Sequence, residues 1–233
     1  MKIKTFGCSL THGTDLEYVT HELDVSGTTE PTRPTWPALL AQHFRLPYEN
    51  HAWPGIGNLR ICERVLFQAK LKDPAIFVIN WSWTDRFDYL EPEQEKWETL
   101  LPTGHAQRNK LYYKNFYNQS HAVFNNLCWI HAALSVLLEK NIPFYMTAID
   151  PVLFHNTDST WQDTLAVSLL QQRIKNHINW FDGLDFLSWS RKNNFPVSKN
   201  WHPLETAHKA AADYVIKVFD TQKIIDQARQ VHV

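Results

Sequence analysis

Two short blocks at opposite ends of the chain hold residue types that can do nucleophilic chemistry together. Gly7-Cys8-Ser9-Leu10-Thr11 follows an N-terminal strand-like stretch, and Trp201-His202-Pro203 opens a helical pattern near the C-terminus. A serine hydroxyl is a weak nucleophile until a base takes its proton, and imidazole is the side chain suited to that task at neutral pH. Ser9 and His202 are therefore the candidate catalytic pair. To meet, they need a fold that brings the end of the first strand beside the start of the last helix. A parallel α/β sheet does this, because strand ends and helix starts gather on one edge.

The elements that would position them are legible along the chain. Lys2–Phe6 reads as a strand running into a turn at Gly7. Trp36–Phe44 reads as a short helix and Tyr48–Ala52 as a second strand. Leu59, Cys62, Val65, Leu66 and Ala69 recur at helical spacing, so a helix runs to about Lys72 before Asp73-Pro74 stops it. Ala75–Trp81 is the nearly continuous apolar run that a parallel strand covered on both faces requires. Ser120–Lys140, with no charge before Glu139, predicts a long buried helix, and Ile142–Ile149 a fourth strand. A helix is expected from near Asp158 or Ser159 to about Ile178. The last helix starts around Pro203, with Leu204, Ala207, Ala211, Val215 and Val218 facing inward. Strands alternating with helices predict one domain over residues 1–233, a three-layer α/β/α sandwich with a parallel sheet.

Two stretches stand apart from this pattern. Residues from about 13 to 37 are rich in Thr, Gly, Pro and acidic groups and read as a long irregular loop, of the kind that is often functional. Residues from about 85 to 117 are polar and aromatic without clear periodicity, and read as an insertion or lid with short helical pieces. Tyr18, Trp36, Phe87, Tyr89 and Trp97 in these segments are expected to frame a substrate cleft.

Composition narrows the function classes. A formal net charge of −1 gives no electrostatic case for nucleic acid or an anionic membrane. No run approaches the roughly 18–20 apolar residues needed to span a bilayer. Met1–Phe6 lacks the apolar core of a signal peptide. Cys8, Cys62 and Cys128 are odd in number and widely spaced, which fits a reducing, cytoplasmic setting and small buried side chains at 62 and 128. The histidines form no His-x-x-x-His cluster, so no metal is expected, and no cofactor is implied. His12, three residues after Ser9, reads as a loop residue, with a place facing the pocket as the alternative. Gly55-Ile56-Gly57-Asn58 lacks the lysine and glycine spacing of a phosphate loop.

Taken in order, the blocks resemble those of the SGNH/GDSL hydrolases. That family carries Gly-Asp-Ser-Leu after the first strand, an Asn-x-Gly-x-x-Gly-like block after the second, Gly-x-Asn after the third and Asp-x-x-His-Pro near the C-terminus. The resemblance implies a flavodoxin-like sheet, Ser9 as nucleophile with Cys8 replacing the usual Asp, and His202 as base. Asn50-His51-Ala52-Trp53-Pro54-Gly55 fits the second block, which makes the Gly55 amide an oxyanion-hole donor. The third block fits poorly: in Asn80-Trp81-Ser82-Trp83-Thr84-Asp85, Ser82 stands where the family has Asn, so Ser82, Thr84 or the nearby Asn58 is expected to supply that donor. Lys199 stands where the family has its acid. The triad therefore reads as a Ser–His dyad, unless Asp150, Asp182 or a backbone carbonyl orients His202. His208 lies further along the helix, where many members also have a histidine. The implied activity is hydrolysis of an ester, a small acyl group on a carbohydrate or similar polar carrier. A non-catalytic carbohydrate-binding or structural protein on the same fold is the alternative, and acyl transfer at the same site a third reading.

Overall fold

The structure is a computed structural model that describes residues 1–17, 33–71, 73–154 and 165–218. β1 (Lys2–Phe6) leads into a single helical turn, α1 (Ser9–His12), followed by α2 (Trp36–His43) and β2 (Tyr48–Asn50). α3 (Asn58–Lys70) precedes β3 (Ala75–Trp81), and then come the strands β4 (Phe87–Glu91) and β5 (Lys96–Leu100). α4 (Gln107–Asn115) and α5 (Gln119–Glu139) return the chain to β6 (Phe144–Ala148), after which α6 (Leu165–Lys175), α7 (Phe186–Lys192) and α8 (Glu205–Val218) complete it.

Four strands pair in parallel in the order β2-β1-β3-β6. Ile178 adds a further parallel bridge to Met146 beyond β6. All seven residues of β3 are buried, as its apolar run requires. Their alternation divides the core: Phe77, Ile79 and Trp81 pack with α3, α5 and α6, whereas Ile76 and Val78 pack with α2, α7 and α8. The result is the three-layer α/β/α sandwich with a parallel, flavodoxin-like sheet. The strand order reverses next to β1, since β2 lies on one side and β3 on the other. In such sheets the crevice at that reversal, off the carboxyl ends of the strands, is where ligands bind.

Several expectations need correction. The segment from about 85 to 117 is chiefly an antiparallel hairpin, β4 against β5, with one helix, α4, behind it. α7 has no counterpart in the sequence reading; Asp185 caps it by accepting from the amides of Leu187 and Ser188. α8 begins at Glu205, so Pro203 precedes the helix. Among the described residues α5 is the one helix long and apolar enough by length and composition to cross a membrane, although its sequence looked too short of apolar residues for that. It packs against α3 and α6 with Val123, Leu127, Ile130 and Leu134 in the core. The expected start of α6 near 158 falls outside the described residues.

Candidate functional site

Gly7 sits at the end of β1 because nothing larger fits. A Cβ there would collide with the Thr11 side chain and lie 3.0 Å from the Asn80 carbonyl oxygen. The chain then turns sharply: Cys8 is extended, and its carbonyl accepts from the amides of Thr11 (3.1 Å) and His12 (2.9 Å) to start α1. Cys8 is fully buried against Leu10, Ile149 and Leu187, so at this position the chain has a packing residue. Ser9 opens α1 and keeps 8 % exposure. Its hydroxyl has no hydrogen-bond partner among the described residues.

His202 lies on a tight loop. The Ser198 amide donates to the His202 carbonyl (2.8 Å), the His202 amide donates to Ser198 Oγ (3.2 Å), and Trp201 takes a left-handed conformation between them (φ 67°). Val197, at the root of this loop, packs beside Cys8 and Leu10, the two neighbours of Ser9. No hydrogen bond joins Ser9 to His202 here. Catalytic contacts are often long before substrate binds.

The imidazole is not without a carboxylate. Its Nδ1 lies 2.8 Å from Oδ2 of Asp15, which stands just beyond α1 in a left-handed conformation (φ 70°). The same oxygen accepts from Ser198 Oγ (2.6 Å) and Asn200 Nδ2 (3.2 Å). The Ser198 hydroxyl first, and then His202, hold the Asp15 carboxyl below the usual carboxylate range. An ionised Asp15 accepts from Nδ1–H, which leaves Nε2 as the basic nitrogen. The sequence reading missed Asp15 and looked instead to Asp150 and Asp182. Asp150 is occupied by the amide and hydroxyl of Thr84 (2.9 and 2.6 Å) and the amide of Val152 (3.0 Å). Asp182 accepts from Trp189 Nε1 (3.0 Å). Lys199, which stands where the family has its acid, is exposed.

The expected oxyanion donors divide sharply. Gly55 has a left-handed backbone (φ 82°), with no atom within 4 Å of where a Cβ would be. It therefore faces open space. Asn58 and Ser82 are buried and serve each other instead. Asn58 Nδ2 donates to the Ser82 carbonyl (3.0 Å) and to Asn126 Oδ1 (2.7 Å), which uses both of its hydrogens. The Ser82 amide donates to Asn58 Oδ1 (2.6 Å), and the Ser82 hydroxyl donates to the Ile56 carbonyl (3.0 Å). Thr84 spends its hydroxyl on Asp150. None of the three side chains has a donor left for a substrate oxygen.

By sequence, no known family profile and no curated protein matches the chain. By structure it is similar to a psychrotrophic esterase from Pseudoalteromonas sp., at 12 % identity over 95 % of this chain and 97 % of that one, with a TM-score of 0.51. It is also similar to a carbohydrate esterase, at 14 % identity over 96 % of this chain and 69 % of that one, with a TM-score of 0.50. The chain has the SGNH/GDSL hydrolase fold.

On this SGNH/GDSL sheet a cavity of about 830 Å³ opens beside Gly55, walled by Trp53, Pro54, Ile56, Arg60 and Arg64 on one side and residues 94–99 of the hairpin on the other. Ser9 and His202 are not among its walls. Trp53 makes the connection: its amide donates to the Gly7 carbonyl (3.0 Å), and its ring meets the edge of His12, the last residue of α1. His12 Nδ1 accepts from Arg33 Nη1 (3.0 Å), and burial first, then Arg33, lowers the affinity of its ring for a proton.

Of the aromatic residues expected at the cleft, Trp97 lines the cavity, while Phe87 stacks on Tyr112 of α4 and on Tyr89. Trp36 is a correction: it is fully buried against Tyr145 and Phe181 in the core. Tyr18 lies outside the described residues. His208 is also structural. Its Nδ1 accepts from the Trp36 amide (3.0 Å), and burial pushes its pKa down to about 3.

Proposed function

We propose that this chain is a serine hydrolase that cleaves an ester, a small acyl group on a carbohydrate or similar polar carrier, with Ser9, His202 and Asp15 as its catalytic set. The observation that carries the reading is the 2.8 Å contact between His202 Nδ1 and Asp15 Oδ2. A carboxylate at that nitrogen fixes the tautomer and stabilises the imidazolium that develops during attack. His202 Nε2 takes the proton from Ser9 Oγ as the hydroxyl adds to the ester carbonyl. The same proton then passes to the departing alcohol oxygen, leaving an acyl group on Ser9. Water, deprotonated by Nε2, attacks the acyl carbonyl and restores the serine. The amides of Ser9 and Gly55 hold the oxyanion; neither has an acceptor among the described residues, and one such donor is worth on the order of 10²–10³ in rate. The substrate enters from the cavity beside Gly55, where Trp53 and Trp97 offer aromatic surface to a polar ring.

The binding-protein alternative rests on a missing acid and a missing third-block Asn; Asp15 offers a carboxylate for the first, while Ser82, Asn58 and Thr84 have no donor to replace the second. Hydrolysis of 4-nitrophenyl acetate and of a panel of acetylated sugars tests the reading. Ser9→Ala and His202→Ala should each lower kcat by on the order of 10³ or more. Turnover that survives Ser9→Ala would remove Ser9 as nucleophile.

A further inference from the structure

The cavity beside Gly55 is lined by two guanidiniums one helical turn apart. Arg60 and Arg64 stand at i and i+4 of α3, so they share a face, and that face is the cavity wall. Arg60 lies over the ring of Trp97 (4.7 Å to its centroid) and Arg64 over Trp53 (5.9 Å). Stacking on an aromatic face fixes the guanidinium plane while leaving its N–H edge free to donate.

Glu95 and Glu98 line the cavity from the hairpin side, opposite this wall. Among the described residues Arg60 makes one ion pair, with Glu63 at 3.6 Å, and its Nε is buried without a hydrogen-bond partner. Arg64 donates one nitrogen to the His51 carbonyl (2.6 Å) and makes no ion pair among the described residues. On the hairpin, Glu98 is taken by Lys96 (3.2 Å) and Arg108 (3.4 Å). Asp88 is turned inward, where it accepts from the amides of Gly57 (2.9 Å) and Arg60 (3.0 Å) and from Thr99 Oγ1 (2.6 Å). It thereby ties the hairpin to the start of α3. Burial first, and Arg60 second, weaken the hold of Arg64 on its proton, and the opposing pull of Glu63 and Asp88 does not offset them. Planar donor pairs of this kind match carboxylate and phosphate oxygens.

We propose that the cavity between α3 and the β4–β5 hairpin binds an anionic group, a carboxylate or a phosphate, carried by the ester substrate, with Arg60 and Arg64 as its ligands. The role of the group as part of a substrate rests on the hydrolase reading; its binding does not. The preferred ester is then an acidic sugar derivative, a uronate or a sugar phosphate, rather than a neutral one.

Tryptophan fluorescence of the intact protein, titrated with glucuronate, glucose 6-phosphate and glucose, tests this without any turnover, because Trp53 and Trp97 border the site. At least one anion should bind at least about tenfold more tightly than glucose, and which one binds decides between carboxylate and phosphate. Its affinity should fall with added salt while that of glucose does not. Arg60→Gln and Arg64→Gln should each weaken the anion at least about tenfold, with thermal melts showing that both variants fold. Equal affinity for glucose and both anions, a salt-independent anion affinity, or full anion binding in the double variant would overturn the proposal. Hydrolysis of neutral 4-nitrophenyl acetate decides the hydrolase reading separately.

Discussion

Replacing Asp15 with Asn removes one charge and little else. Asparagine tolerates the left-handed backbone at this position (φ 70°) and has the same shape. Ser198 Oγ and Asn200 Nδ2 both donate toward the oxygen that contacts His202, so the carbonyl oxygen of the new amide is the atom that fits there. The Nδ1–H tautomer is then kept, and only the charge opposite the developing imidazolium is lost. At 2.8 Å that charge is worth about 6 kcal/mol at an effective dielectric constant of 20 and about 1.5 kcal/mol in water. The two side chains are 14 % and 26 % exposed, which places the pair between these limits. A value of about 3 kcal/mol corresponds to a loss of about 10²–10³ in kcat. Were the amide inverted, the tautomer would invert too, and the loss would approach the roughly 10⁴ seen when a triad acid is neutralised in that way. Steady-state hydrolysis of 4-nitrophenyl acetate near neutral pH reads the effect directly. A kcat within about threefold of the parent, or a loss confined to KM, would refute the assignment of Asp15 as the orienting acid.

Other substitutions separate structural from chemical roles. Lys199→Asp should change kcat by less than about threefold, because Asp15 already occupies His202 Nδ1 and residue 199 is exposed; a large gain would mean that the family's acid position still matters. Asn58→Ala leaves the Ser82 amide and its other partners buried and unpaired, so urea denaturation should show a loss of about 2–5 kcal/mol, with the acylation rate of the folded fraction reduced less than about tenfold. Unchanged stability with a loss of about 10²–10³ in acylation would return Asn58 to the oxyanion hole. His208 predicts acid sensitivity: its folded pKa, about 3, lies below its unfolded value, so the unfolded chain binds the extra proton. Its contribution is intact above about pH 6.5 and is lost as the pH falls toward 3, by at most about 1.4 kcal/mol per pH unit. Urea midpoints measured across that window should fall with acid in the parent and fall less steeply in His208→Gln.

The parts of the fold that were legible are those whose burial is one-sided or complete. β3 shows as an unbroken apolar run because helices cover both its faces, and α3 shows its core stripe because its other face is wet. The β4–β5 hairpin escaped notice for the opposite reason. Its strands alternate exposed, buried and half-buried residues without a clean period, and its turn passes through Glu95 at φ 49° instead of a glycine. α7 spans seven residues with Phe186, Leu187, Trp189 and Ser190 all buried, too short and too uniformly covered to show a helical stripe. Ser9 and His202 stood out because each sits where a strand ends or a helix approaches. Asp15 did not, since it meets His202 across 187 positions and lies in a loop where several carboxylates look alike. Ser82 and Asn58 were nominated by their place in the blocks, which says nothing about where their hydrogens point.

The central claim, that Ser9 is a nucleophile activated by His202, is tested most directly by treating the intact protein with a fluorophosphonate and mapping the adduct by mass spectrometry. One adduct per chain on Ser9, absent from Ser9→Ala and slowed by at least about a hundredfold in His202→Ala, is the predicted result. No adduct under conditions that label an ordinary serine esterase, or an adduct on another residue with Ser9 unmodified, would contradict the account.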